Sequence, residues 1–127
     1  MKFILPLVLA GTVLLMAATC NTTTASKQCF KGRLEIKGIC MNYVITVLEG
    51  DTKALNMDKS WTDETDNKTY KNVFALGSKC SFPDMKEGEE FYFTIAPNEE
   101  QSCNVCMAYR AVPAASNKIR VSKTPCR

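Results

Sequence analysis

The 127-residue chain contains no histidine. Nucleophilic Ser–His and Cys–His pairs need an imidazole base, and most catalytic zinc sites use imidazole as a ligand. Neither kind of centre can be built from this sequence. A phosphate-binding glycine loop is also missing, and the paired acids Glu89-Glu90 and Glu99-Glu100 stand beside turns, where solvent is the expected partner. We therefore predict that the protein is not an enzyme and that it needs no cofactor and no metal ion.

Long apolar runs are equally scarce, because the only one stands at the N-terminus. Lys2 is the single charge before residue 27, and residues 3–18 are mostly apolar. This pattern is typical of a secretory signal peptide and is short for a membrane span. We predict a signal peptide at residues 1–20, with cleavage as late as residue 26, and one domain at residues 21–127. The protein is then expected to be secreted and extracellular, with neither a membrane nor a nucleic acid as its partner.

Cysteine, in contrast, is abundant. Loss of the signal peptide removes Cys20 and leaves six cysteines: Cys29, Cys40, Cys80, Cys103, Cys106 and Cys126. An even number in a short secreted chain predicts three structural disulfides, and six cysteines allow 15 pairings that the sequence alone does not resolve. If Cys20 survives processing, a free thiol is the alternative.

The motif Cys103-Asn104-Val105-Cys106 has the spacing of a redox or metal-binding pair. Redox pairs normally open a helix in a cytosolic βαβ unit, and a structural zinc site needs a second pair at similar spacing. Both contexts are missing here. On an extended strand, positions three apart point to opposite faces. We therefore predict that the two cysteines form structural disulfides with different partners.

Short apolar stretches separated by turn residues predict six strands and no periodic helix. The predicted strands cover residues 34–36, 43–48, 69–76, 91–95, 106–112 and 118–121. The polar connection at residues 51–67 fits neither helical nor strand periodicity, although it has room for a helical turn. This pattern indicates an all-β barrel or sandwich.

Two asparagines lie in glycosylation motifs, Asn21-Thr22-Thr23 and Asn67-Lys68-Thr69. The second is the stronger candidate because it falls in the polar connection, where exposure is expected; an unmodified loop asparagine is the alternative.

Charge is unevenly distributed, because no acid follows Glu100. The bases after it are Arg110, Lys118, Arg120, Lys123 and Arg127. This basic C-terminal strip is a candidate site for a sulfated glycan, with a solvated face as the favoured alternative.

The segment CMNYVITV at residues 40–47, in which a cysteine leads into a long apolar strand, resembles the first barrel strand of the netrin-like domain. Within that group it is similar to the N-terminal domain of tissue inhibitors of metalloproteinases. YKNVF at residues 70–74 resembles the next strand, and residues 80–94 resemble the family's pattern of cysteine, turn and aromatic strand. The resemblance extends from Cys29 to Cys126. It implies a small, disulfide-bonded, five-stranded OB-like barrel.

The resemblance also implies that the segment bearing Cys29 and Cys40 is tied to the C-terminal part of the domain. Cys40 is then expected to pair with Cys126, and Cys29 with Cys103 or Cys106. Cys80 takes the remaining cysteine.

Inhibitors of this family begin with Cys-x-Cys, and their first cysteine chelates the zinc ion of the protease. Cys29 matches the second of these cysteines, whereas Lys27 occupies the position of the first. The segment that the resemblance implies for partner binding is Lys27, Gln28, Cys29 and Phe30.

These observations predict a secreted, disulfide-bonded, netrin-like binding protein with an extracellular protein as its partner. Inhibition of a metalloproteinase is the most specific form of this hypothesis. The alternative is a secreted defence or venom effector on a small disulfide scaffold, and confinement of the protein to a venom or mucus gland would favour it.

Overall fold

The structure is a computed structural model that describes residues 28–126. The predicted signal peptide, Cys20, Asn21, Lys27 and Arg127 lie outside the described residues.

The described residues form seven strands and two short 3₁₀ turns. The strands are β1 (Phe30–Lys37), β2 (Tyr43–Glu49), β3 (Asp58–Asp63), β4 (Lys68–Leu76), β5 (Glu90–Ile95), β6 (Ser116–Asn117) and β7 (Ile119–Ser122). The 3₁₀ turns are Ile39–Met41 and Thr52–Ala54. The all-β, disulfide-bonded part of the predicted fold class is thus confirmed.

The seven strands belong to one sheet. Its order is β3-β4-β2-β1-β5-β7, and β6 pairs with β4 beside this path. Every pairing is antiparallel except that of β6 with β4, which is parallel. The β3–β4 hairpin lies at one end of the path, and the C-terminal strands lie at the other.

Apolar side chains cover both faces of this sheet, in a large and a small cluster. The large cluster contains Phe30, Phe74, Phe91 and Phe93, and the rings of Phe30 and Phe93 stack with their centroids 5.2 Å apart. The small cluster contains Ile36, Val44, Tyr70 and Val73, with Trp61 and Val112 packed against it. Adjacent residues of β2, Val44 and Ile45, belong to different clusters. Since successive strand residues point to opposite faces, the two clusters lie on opposite sides of the sheet.

Four of the six predicted strands are confirmed within a few residues. β2, β4 and β5 match residues 43–48, 69–76 and 91–95, and β7 matches residues 118–121. β1 is longer than the predicted residues 34–36, because Gly32 lies inside the strand. A Cβ atom at Gly32 would stand 3.0 Å from Cε1 of Phe93, so glycine here permits close packing of β1 on the core.

Two parts of the strand prediction are wrong. β3 lies in the polar connection where no strand was expected, although the helical turn foreseen there is present as Thr52–Ala54. Residues 106–112 were predicted to form a strand, but they pair with no strand of the described chain. Their apolar alternation is real, yet no neighbouring strand lies beside them.

Three disulfides join Cys29 to Cys126, Cys40 to Cys106 and Cys80 to Cys103, with Cα–Cα distances of 5.4, 5.0 and 5.5 Å. The predicted use of all six cysteines, and of different partners for Cys103 and Cys106, is confirmed. Cys29 and Cys40 are both tied to the C-terminal part of the chain, as expected.

The individual pairings expected for Cys40 and Cys29 are wrong, because Cys126 bonds to Cys29. The physical reason is the position of Cys29 at the start of β1. That strand lies beside β5, and β5 pairs with β7, so the C-terminal end of the chain lies close to the start of β1.

Candidate functional site

One long segment crosses the sheet without joining it. Residues 103–113, which we call the strap, contain no helix and no strand, and they run from Asn104 to Pro113 without a bend or turn. Two disulfides hold its first part, through Cys103 to Cys80 and through Cys106 to Cys40. Cross-links restrict a segment that lacks hydrogen-bonded ladders of its own. The strap is therefore a loop with a fixed position.

A buried ion pair holds the middle of the strap. Nη2 of Arg110 donates a hydrogen bond to Oδ2 of Asp63 over 2.7 Å, and the Asp63 side chain is 0% exposed. The other carboxylate oxygen of Asp63 accepts a hydrogen bond from the backbone N–H of Thr65 at 3.0 Å. Burial by itself would raise the pKa of Asp63, but the Thr65 N–H and the Arg110 guanidinium outweigh it and lower that pKa below its ordinary value. Asp63 is thus a charged anchor at the end of β3.

Close approach of the backbone makes room for the Arg110 side chain. A Cβ atom at Gly38 would stand 2.7 Å from Cδ of Arg110 and would also clash with the carbonyl oxygen of Asn42. Any larger residue at position 38 would push the arginine away from Asp63. The glycine after β1 is thus required by the strap.

Asn42 forms a third anchor. Its Nδ2 donates to the carbonyl oxygens of Ile39 at 2.9 Å and of Ala108 at 3.0 Å, and its Oδ1 accepts from Nζ of Lys79 at 3.3 Å. One amide group therefore joins the Ile39–Met41 turn to the strap. Beyond this point Val112 packs on the small apolar cluster, so the strap is attached along most of its length.

Three large apolar side chains are exposed in the described chain, and all of them lie at these anchors. Met107 is 95% exposed, Tyr109 is 89% exposed and Ile39 is 61% exposed. The Cys40–Cys106 disulfide lies between Ile39 and Met107, so the Cα atoms of these two residues are at most about 13 Å apart. Exposed apolar side chains that cluster on a rigid segment are typical of a binding surface. We call these three residues the apolar surface.

A groove of about 440 Å³ lies beside this surface, between the two disulfides of the strap. It is lined by Cys40, Met41, Lys79, Cys80, Phe82, Cys103, Asn104, Val105 and Cys106. Lys79 is the only charged residue among the described residues that line it. The groove therefore combines sulfur and apolar walls with one cation.

The structure places the predicted partner-binding segment elsewhere. Gln28 is exposed, and its Nε2 donates a hydrogen bond to Asp51 at 3.4 Å. Cys29 is half-buried in its disulfide, whereas Phe30 is 1% exposed and belongs to the large cluster. This segment and the strap lie at opposite ends of β1, about 20 Å apart along the strand.

The basic C-terminal strip is divided by its ion pairs. Arg110 is bound to Asp63, and Arg120 forms an ion pair with Glu99 at 2.9 Å. Lys118 and Lys123 are exposed. The sulfated-glycan hypothesis thus depends chiefly on the exposed bases near β7, since Arg110 serves the strap.

Asn67, the predicted glycan acceptor, lies in the turn between β3 and β4. It is exposed and has a φ of 55°, a left-handed conformation that asparagine tolerates well. Thr69 of the same motif is exposed on β4, with its hydroxyl 2.9 Å from that of Thr62. The position agrees with the exposure that the motif predicts.

The strap residues that form the apolar surface were not predicted to act in binding. Alternation placed Met107 and Tyr109 on one face of a strand, but alternation does not say whether that face is buried or exposed. The signal that could have identified Ile39 is its place between Gly38 and Cys40, in a turn that is too short to bury it.

Neither a metal cluster nor a membrane span is found in the described part of the chain. No group of three or more Cys, Asp or Glu side chains in residues 28–126 is placed to hold a metal ion. Across the same residues, no helix has the length and apolarity that crossing a bilayer requires. In comparisons with protein-family models, curated proteins and solved structures, nothing matches this chain.

Proposed function

We propose that this chain is a secreted, netrin-like binding protein whose strap contacts an extracellular protein. Its most specific form is an inhibitor of a metalloproteinase. The observation that carries the proposal is the exposure of Met107 and Tyr109 on a segment fixed by two disulfides. A rigid loop loses little conformational entropy on binding, and apolar and aromatic side chains supply most of the binding energy at protein interfaces.

The netrin-like part of this proposal includes an OB-like barrel, and the C-terminal pairings support it. β6 pairs with β4 and β7 pairs with β5, while only Lys118 separates β6 from β7. The N–H of Gly77 donates to Asn117, and the N–H of Ala96 donates to Lys118, both over 2.8 Å. We therefore treat β6 and β7 as one strand that bridges β4 and β5 and closes a five-stranded barrel. The β3–β4 hairpin then extends from the barrel as an arm.

The inhibitory form would differ from zinc chelation by a terminal cysteine. Lys27 stands where that cysteine would be required, and Cys29 is bonded to Cys126. Inhibition by this chain would therefore depend on surface contacts made by the strap. The secreted location agrees with the three disulfides, which persist in oxidising compartments.

The test is an inhibition assay with the purified mature protein against the catalytic domains of a panel of metalloproteinases. We expect at least one proteinase to be inhibited. Replacing both Met107 and Tyr109 by serine should weaken that inhibition by about thirtyfold or more, the effect of losing an interface hot spot of roughly 2 kcal/mol. Lys59→Ser, an exposed change on β3, is the matched control and should have no effect.

Two results would count against the proposal. If the panel is untouched and the mature N-terminus is blocked or ragged, the inhibitor form is lost. If inhibition is found but the double serine variant retains it, the strap is not the contact surface.

A further inference from the structure

The strap has the sequence pattern of a strand but no strand beside it. Met107 and Tyr109 are separated by Ala108 and are both strongly exposed, which is the spacing of two side chains on one face of an extended chain. No bend, turn or left-handed residue interrupts residues 104–113. The segment is therefore extended and unpaired within the described chain.

Its main-chain N–H groups also have no acceptors within the described chain. From Asn104 to Val112, no amide N–H donates a hydrogen bond to any atom of residues 28–126. The carbonyl oxygens of Ala108 and Ala111 do accept, from the side chains of Asn42 and Arg110. A row of unpaired N–H groups on an extended segment is what a sheet edge presents to an incoming strand.

The Ala108 contact shows which edge of the strap is available. In an extended chain, the N–H and C=O groups of successive residues point to opposite edges. Because the carbonyl of Ala108 faces Asn42, the main-chain groups of Met107 and Tyr109 lie along the other edge. Pro113 has no N–H and marks the end of this edge.

We propose that the strap binds its partner by strand addition. An extended segment of the partner protein pairs with the main chain of Met107 and Tyr109, and these two side chains enter apolar pockets of that partner. This inference rests on the proposed function and specifies how recognition occurs. Main-chain hydrogen bonds provide affinity in this mode, and alternate side chains provide specificity.

Charge complementarity defines the partner segment further. The groove at the N-terminal end of the strap contains one cation, Lys79, and no carboxylate among the described residues that line it. An added strand that continues past Met107 reaches this groove. The segment therefore carries an acidic residue beyond its apolar residues.

The experiment selects linear twelve-residue peptides from a phage-displayed library against the purified mature protein. We expect the selected peptides to alternate apolar residues and to carry an acid near one end. Binding should slow the hydrogen exchange of the Met107 and Tyr109 amides, as measured by NMR. An N-methyl scan of the peptide should then show a period of two, because only alternate N–H groups of an added strand face the strap.

Lys79→Glu should weaken the binding of these peptides by about tenfold or more, the equivalent of about 1.4 kcal/mol. Lys71→Glu, an exposed charge reversal on β4, is the control and should leave binding unchanged. The proposal is overturned if the library yields no binder, if the N-methyl scan has no period of two, or if exchange slows elsewhere. Concentration-dependent dimerisation that protects the same two amides would also overturn it, since the occupant would then be a second copy.

Failure of this inference differs from failure of the proposed function. If a metalloproteinase loses affinity for the double serine variant but does not slow exchange at Met107 and Tyr109, the strap is the contact surface and strand addition is wrong. If peptides bind with the expected period while every proteinase is unaffected, strand addition stands and the inhibitor hypothesis fails.

Discussion

The sheet and the strap use similar side chains in opposite ways. Phe93 of β5 is 0% exposed and touches three other phenylalanine rings, whereas Met107 of the strap lies almost fully in solvent. Pairings along six strand contacts hold the sheet, but the strap has no ladder. Its fixed position comes from two disulfides, one buried ion pair and the Asn42 amide.

The difference shows how a small domain can display apolar groups without losing order. Apolar burial provides about 25 cal/mol per Å² of stabilisation, but only to side chains that leave water. Side chains that must meet a partner cannot contribute in this way. Covalent and ionic anchors replace that contribution in the strap, so the free energy of the fold and the binding surface are supplied by different residues.

The largest expected effect breaks the sheet side of this comparison. Phe93→Ala removes a buried ring from the centre of the aromatic cluster and should lower the free energy of unfolding by about 3–5 kcal/mol. Urea denaturation followed by circular dichroism measures it. Tyr92→Ala, at the neighbouring half-buried position of β5, should cost clearly less. Equal losses at the two positions would show that the aromatic cluster is not the centre of the fold.

A somewhat smaller effect is expected from opening the strap. Replacing Cys40 and Cys106 by alanine should cost about 2–4 kcal/mol by releasing a constraint on the unfolded chain. Removing the Cys80–Cys103 disulfide should cost about 1 kcal/mol less, because it closes 23 residues instead of 66. The same denaturation measurement compares them. If the shorter bridge proves the more costly, loop entropy is not what these bridges contribute.

The ion pair is the next anchor in order of expected effect. Arg110→Met leaves the buried Asp63 carboxylate without its guanidinium and should destabilise the fold by about 2–3 kcal/mol at pH 7. Arg120→Met is the control, because its ion pair with Glu99 lies where solvent screens it, and it should cost less than about 1 kcal/mol. Thermal unfolding of the two variants provides the comparison.

Acid should reduce the cost of Arg110→Met. The pKa of Asp63 is lowered by folding from an ordinary value of 3.8, so its stabilisation is complete above that pH and is lost as pH falls through the folded value. Once Asp63 is protonated, the guanidinium has no charge to pair with. The difference in stability between wild type and variant should therefore narrow below about pH 3.8. A constant difference down to pH 2 would contradict the ion-pair assignment.

The sequence predicts the sheet better than the strap for a physical reason. β2, β4 and β5 have β-branched and aromatic residues on buried faces, and local composition is enough to recognise them. β3 has the sequence DKSWTD and pairs only with β4, so its polar residues hide a real edge strand. Propensity reports half-buried surface, and β3 has little of it.

The strap could not be predicted because its structure depends on distant partners. Alternation from Cys106 to Val112 correctly indicates an extended chain, but it contains no information on whether another strand lies beside it. The disulfide partners of Cys40 and Cys80 are 66 and 23 residues away. The partner of Arg110, Asp63, is no more evident, since no local spacing joins them. Exposure of Met107 and Tyr109 follows from these long-range contacts and was therefore missed.

The smallest expected effect sharpens the comparison from the strap side. Replacing Met107 and Tyr109 together by serine should change the free energy of unfolding by less than about 0.5 kcal/mol, because neither side chain leaves water on folding. Denaturation by urea measures this change, and wild-type exchange rates at the other strap amides would show that the anchors are intact. A loss comparable to that of Phe93→Ala would mean that these side chains are buried in solution. The strap would then be part of the core, and its apolar residues would need no partner to explain them.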